Sequence, residues 1–148
     1  VKRLACAALL CGSSLAAAQT ALSLSLETTF APVAEVESLS DALSCTALFR
    51  SMSLVFGPES DYFEAFRARE GVMASVSGVL WADSPRGAGQ SPDEVFALLL
   101  PMINTATDLY VDHMDATVAV TDAPFDDPIL AQFDFCTALV EALQRDAG

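Results

Sequence analysis

The chain is poor in the residues that most often carry chemistry. Its 148 residues include one histidine, one tryptophan and four cysteines. With His113 as the sole imidazole, a zinc site built from Cys and His ligands lacks the partners it needs. Basic residues are also scarce, with 7 Lys+Arg against 20 Asp+Glu and a formal net charge of −13. Binding nucleic acid requires a basic stripe that displaces counterions from phosphates, so that partner class is excluded, and an anionic membrane surface is disfavoured for the same reason. Glycine and proline number only 7 each, which rules out collagen-like and linker-like chains. No C-x-x-C or C-x-x-C-H occurs, so neither a thioredoxin-type redox site nor covalent c-type haem has sequence support. No G-x-S-x-G elbow is present, and Gly87-Ala88-Gly89 lacks both the G-x-G-x-x-G spacing and the lysine of a phosphate loop, which leaves it as a joint. No cofactor is expected.

What remains is the composition of one ordered domain. The chain is 53% hydrophobic and 18% charged, which is not a disordered composition. A domain of this size buries roughly two-thirds of its unfolded surface in a single core.

Part of that hydrophobicity sits at the start. Lys2 and Arg3 precede the apolar run Leu4 to Leu10, and Ala16-Ala17-Ala18 before Gln19 has the A-x-A form of a cleavage site. Residues 1–18 therefore read as a secretory signal peptide. A lipoprotein reading fits badly, because Leu10 stands before Cys11. The apolar stretch also falls short of the roughly 20 residues that span a bilayer, so no stable membrane span is expected after processing. Cleavage would remove the only lysine and Arg3, leaving five arginines against all 20 acidic residues and hence a net charge of −15. Such a surface is soluble and self-repelling. The expected location is periplasmic or secreted. There Cys45 and Cys136, the pair left after Cys6 and Cys11 depart, are expected to form one disulfide.

Residues 19–33 (QTALSLSLETTFAPV) are polar, β-branched and proline-bearing, and read as an extended N-terminal arm. Residues 34–148 read as a single helical domain of four amphipathic segments. The first begins at Val33 or Leu39, with Ser38 and Asp41 as a capping pair, and ends at Gly57-Pro58. The second covers Pro58 to Ala82, with Tyr62, Phe66, Met73, Val76 and Leu80 on its buried face. Ser91-Pro92-Asp93-Glu94 opens the third with a capping box. Leu99, Met102, Ala106, Leu109, His113 and Thr117 then step by threes and fours. Pro101 should kink this helix, and Thr117 to Thr121 should be irregular or extended. The fourth begins at Asp127-Pro128 as cap then proline, with Ile129, Phe133, Cys136, Val140 and Leu143 inward. The expected fold is all-α, a four-helix up-down bundle with one disulfide.

Asp108, Asp112 and Asp115 lie near His113 and could offer oxygen ligands to a hard divalent cation. The plainer reading makes them the wet face of an amphipathic helix, with His113 continuing the core stripe. The cluster Asp122, Asp126, Asp127 lacks EF-hand spacing. Met52, Met73, Met102 and Met114 could pair with His113 around haem, but methionine more often fills core gaps. Trp81 reads as packing at a helix end. The function expected from all this is an exported, non-enzymatic protein that binds a protein partner or small ligand. A chaperone-like envelope stress protein is the alternative, and a hydrolase with an acidic metal site stands behind it.

Overall fold

The computed structural model describes residues 5–146, with the side chains of residues 5–15 outside the described set; the positive n-region Lys2-Arg3 therefore lies outside the described residues. Five α-helices and one turn of 3₁₀ helix follow one another: α1 Ala5–Phe30, the 3₁₀ turn Ala31–Val33, α2 Leu39–Phe56, α3 Phe63–Ala82, α4 Pro92–Thr121 and α5 Asp127–Asp146. The fold is all-helical, with no strand among the described residues.

The expected extended arm is helical instead. Leu22, Leu26 and Phe30 recur every four residues, which places them on one helix face. Phe30 is buried in the core, and Leu22 and Leu26 pack against it. The β-branched and polar residues between them satisfy their hydroxyls within the helix. Thr28 Oγ1 donates to the Leu24 carbonyl at 2.8 Å, and Thr29 Oγ1 to that of Ser25 at 2.8 Å. Leu24, between Leu22 and Leu26, is 58% exposed on the opposite side.

The core is centred on α2, which packs chiefly on α3 and α4, while α1 lies against α4. Leu39, Ala42, Leu43, Cys45, Ala47, Leu48, Phe49 and Met52 are all buried, so α2 is covered on most of its circumference. Cys45 bonds to Cys136 across 91 residues of sequence with Cα atoms 5.4 Å apart, tying α2 to α5. In length and composition α4 could cross a bilayer, yet it turns Val95, Leu99, Ile103, Ala106, Tyr110 and Met114 into the core.

Helix ends show where local chemistry decides. At α4 the Ser91–Glu94 box forms both ways, with Ser91 Oγ accepting from the Glu94 N–H at 3.3 Å and the Ser91 N–H donating to the Glu94 carboxylate at 2.7 Å. These bonds hold the Glu94 carboxyl below its usual value, the backbone bond contributing most. Ser38 does not cap α2. It sits in the left-handed region at φ 63° and its side chain makes no cap bond. α3 starts at Phe63, five residues later than expected, because Gly57 to Tyr62 form a succession of tight turns. α4 runs uninterrupted through Pro101 to Thr121, and Thr117 and Thr121 bond back to the carbonyls of His113 and Thr117. The cap of α5 is Asp126 rather than Asp127, since Asp126 Oδ1 accepts from the Ile129 N–H at 3.1 Å.

The joint between α3 and α4 is folded rather than loose. Ser84 Oγ donates to the Trp81 carbonyl at 2.6 Å and accepts from the Gly87 N–H at 3.1 Å. Trp81 donates through Nε1 to Gln90 at 2.7 Å, and the Arg86 guanidinium lies 5.3 Å from its ring centroid. Arg86 also reaches Glu35 and the Pro32 carbonyl, so Trp81 is the floor on which two joints meet.

Candidate functional site

The residues expected to hold a cation part company in the structure. Asp108, Asp112 and Asp115 are exposed on the outer face of α4. His113 is buried on the inner face, where its Nε2 lies 2.8 Å from Asp126 Oδ2, with side chains 4% and 8% exposed. Gln19 of α1 donates to the same carboxylate oxygen at 3.2 Å. Burial pushes the Asp126 carboxyl up, but the Ile129 N–H, His113 and Gln19 outweigh it and hold the group below its ordinary value. The result is a polar node that joins α1, α4 and the start of α5. Among the described residues, no three His, Cys, Asp or Glu side chains converge where they could hold a metal ion. Of the methionines, Met52, Met73 and Met114 are buried core residues, and His113 already faces Asp126.

The sequence offers one part of a second polar cluster, Arg67 at ion-pair spacing three residues before Glu70, but neither the partner Arg50 nor the burial of Glu70. Glu70 is 5% exposed and accepts from Arg50 Nε at 2.7 Å and from Arg67 at 2.5 Å. Arg50 also donates to Asn104 at 2.6 Å, so α2, α3 and α4 meet at one carboxylate. A buried charge survives only when paired and hydrogen-bonded, and two guanidiniums meet that need. Tyr110 closes a third link, its hydroxyl 2.6 Å from Ser44, and burial raises its pKa although that bond opposes it.

The concave surface with the most distinct chemistry lies where α2, α3 and α5 converge. On α2, Met52 and Phe56 are one turn apart. Tyr62, Ala65, Phe66 and Arg69 follow at i, i+3, i+4 and i+7, so they share a face of α3 and its approach. Leu130 and Phe133 are one turn apart on α5, and Phe125 comes from the joint before it. Together these nine residues enclose a cavity of about 410 Å³. Its aromatic walls are mutually braced. Phe56 stacks on Phe125 at 5.9 Å between centroids, and Phe66 meets Phe133 edge-on at 6.1 Å. Phe49 meets Phe133 from behind at 6.1 Å. Tyr62, 61% exposed, stands at the mouth.

Two features of this lining follow from charge. None of the 20 acidic side chains contributes to it, and its one ionisable group besides the Tyr62 phenol is Arg69. Among the described residues Arg69 makes no ion pair; Arg50, Arg67 and Arg86 are the arginines engaged by carboxylates. The sequence exposes Tyr62, Phe66 and Phe133 as core stripes and Met52 as a core residue. Nothing in it indicates that Phe56 and Phe125 join them, or that their shared space is left open.

A further groove of about 340 Å³ runs between α3 and α4, past Gly78, Val79, Val95, Phe96 and Leu99, with Arg50 at one wall. It also lacks an acidic residue, but its arginine is already held by Glu70 and Asn104.

Comparison with known protein families, with curated proteins and with solved structures finds no match to this chain.

Proposed function

We propose that the chain is an exported, non-enzymatic helical protein that binds a small apolar ligand in the cavity between α2, α3 and α5. The carrying observation is an open, aromatic-walled cavity of about 410 Å³ without a single acidic residue, in a chain of net charge −13. Small-molecule sites are typically concave, mostly apolar and provided with a few placed polar groups, in the range of about 300–1,000 Å³.

Export rests on the order of positive, apolar and small residues before Gln19, and the α2–α5 disulfide is compatible with an oxidising compartment. In this reading signal cleavage leaves Gln19–Phe30 as the surviving part of α1. The helices from Leu39 onward then form an up-down bundle, supported by their short joints and by the bond between its first and last members. N-terminal sequencing of the protein from its own host should find Gln19, free or cyclised. An uncleaved Lys2 in the envelope fraction would overturn export by this signal.

Ligand binding is tested with the neutral apolar fluorophore N-phenyl-1-naphthylamine. Its emission should rise on addition of the wild-type protein and should not rise with Ala65→Trp, which fills the cavity from an exposed wall position without disturbing the core. Equal enhancement by the two proteins would remove the cavity as the binding site.

A further inference from the structure

We infer that the ligand of the aromatic cavity is a free monocarboxylic acid with an apolar tail, its head group held by Arg69. This rests on the reading of the cavity as a ligand site and adds the chemistry of the occupant. Three observations lead to it.

The first is the state of Arg69. A guanidinium carries five donors in a planar fork that matches a carboxylate. Arg50 and Arg67 spend theirs on Glu70, and Arg86 on Glu35 and Pro32. Arg69 is adjacent in sequence to Glu70, yet that carboxylate has both oxygens turned to the other two arginines. Arg69 instead lines the cavity with Phe66 and Ala65 on the same face of α3. Among the described residues its fork is therefore free to meet an outside carboxylate, in a chain with 20 acidic residues and 7 basic ones.

The second is the rest of the lining. Met52, Ala65, Phe66, Phe125, Leu130 and Phe133 offer neither donor nor charge from their side chains. A ligand with several polar groups would lose water at each of them and recover bonds at only one or two positions. An apolar body with a single polar head loses little, because only that head needs a partner. Tyr62, at the mouth, adds one neutral hydroxyl to the lining.

The third is the sign of the charge in the lining. The acidic surface attracts cations indiscriminately, so an amine head group gains nothing specific at this cavity, where the one charged lining group is itself a cation. An acid meets carboxylates over much of the surface and an unengaged guanidinium here. The carboxylate class is therefore the one the electrostatics discriminate in favour of.

The experiment uses decanoate, 1-decanol and decylamine as probes, titrated by calorimetry into the disulfide-bonded protein and into Arg69→Gln and Arg69→Lys. Decanoate should bind wild type at least about tenfold more tightly than decanol, the difference expected from one charge-assisted head-group contact. Arg69→Gln should bring decanoate down to the level of decanol and leave decanol unchanged, while Arg69→Lys should restore part of the preference. Arg69 is only partly buried and outside the core, so these variants keep the fold, as circular dichroism can show. Equal binding of decanoate and decanol by wild type would overturn the carboxylate assignment while leaving the apolar site standing. So would a decanoate preference that survives in Arg69→Gln. Binding of every probe unchanged by Ala65→Trp would instead overturn the site itself.

Discussion

Asp126 shows how much one carboxylate can hold. It caps α5 through the Ile129 N–H and pairs with His113 on α4. It also receives Gln19 from α1. Asp126→Ala removes the cap, worth about 1–2 kcal/mol, and orphans a buried imidazole, so a loss of about 2–3 kcal/mol in urea unfolding is expected. Asp126→Asn keeps the cap and should cost less. Because the native carboxyl lies below its ordinary value of 3.8, the folded state favours the charged form. That stabilisation is fully present above this ordinary value and is lost as pH falls through the lower native one. The wild-type protein should therefore lose stability on acidification below about pH 4, and in Asp126→Asn this component of the slope should be absent. Gly87 makes a different demand at the same scale. A Cβ there would stand 1.9 Å from the Trp81 carbonyl oxygen, which no side chain can accept. Gly87→Ala must shift the joint off Trp81, with an expected loss of about 1–3 kcal/mol and a changed tryptophan emission spectrum as the second readout.

The helices themselves were legible to different degrees. α4 announces its start, since Ser91, Pro92 and Glu94 specify cap, first turn and reciprocal bond without reference to the rest of the fold. The start of α3 is less readable, because Pro58 and the acids Glu59 and Asp61 resemble a first turn but occupy the turns before it. α1 could not be read correctly from local pattern. Leu22, Leu24 and Leu26 fit a two-residue period as well as a four-residue one, and only the burial of Phe30 and the packing of Leu26 on the core decide between them. Phe30→Ala should accordingly cost about 3–5 kcal/mol in chemical denaturation, a value an extended surface arm would not give. The cavity was half legible for a related reason. Phe66 and Phe133 follow from periodicity, whereas the contribution of Phe56 and Phe125 and the open space in front of Arg69 depend on where α5 comes to rest. Likewise the Arg50–Glu70–Asn104 cluster joins residues 20 and 54 positions apart, beyond the reach of any local spacing rule.

For the molecule as a whole the disulfide dominates. Closing a loop of 91 residues restricts the unfolded chain by about 4–5 kcal/mol in the chain-entropy treatment, a large part of the roughly 5–15 kcal/mol that a domain commands. Cys136→Ala should lower the urea midpoint by a corresponding amount and leave Cys45 as the thiol that alkylates on unfolding. The bond also divides the chain topologically. Residues 45–136 form a covalent ring that contains α3, α4 and most of α2. α1 hangs outside that ring as a tail, packed on α4 and the core, and among the described residues its one side-chain hydrogen bond to another part of the fold is Gln19 to Asp126. A tail can peel away while the ring stays shut, since its departure opens no closed loop. Amide hydrogens between Gln19 and Phe30 should therefore exchange in an earlier tier than those of α2 and α4, and reduction of the bond should bring the two tiers together.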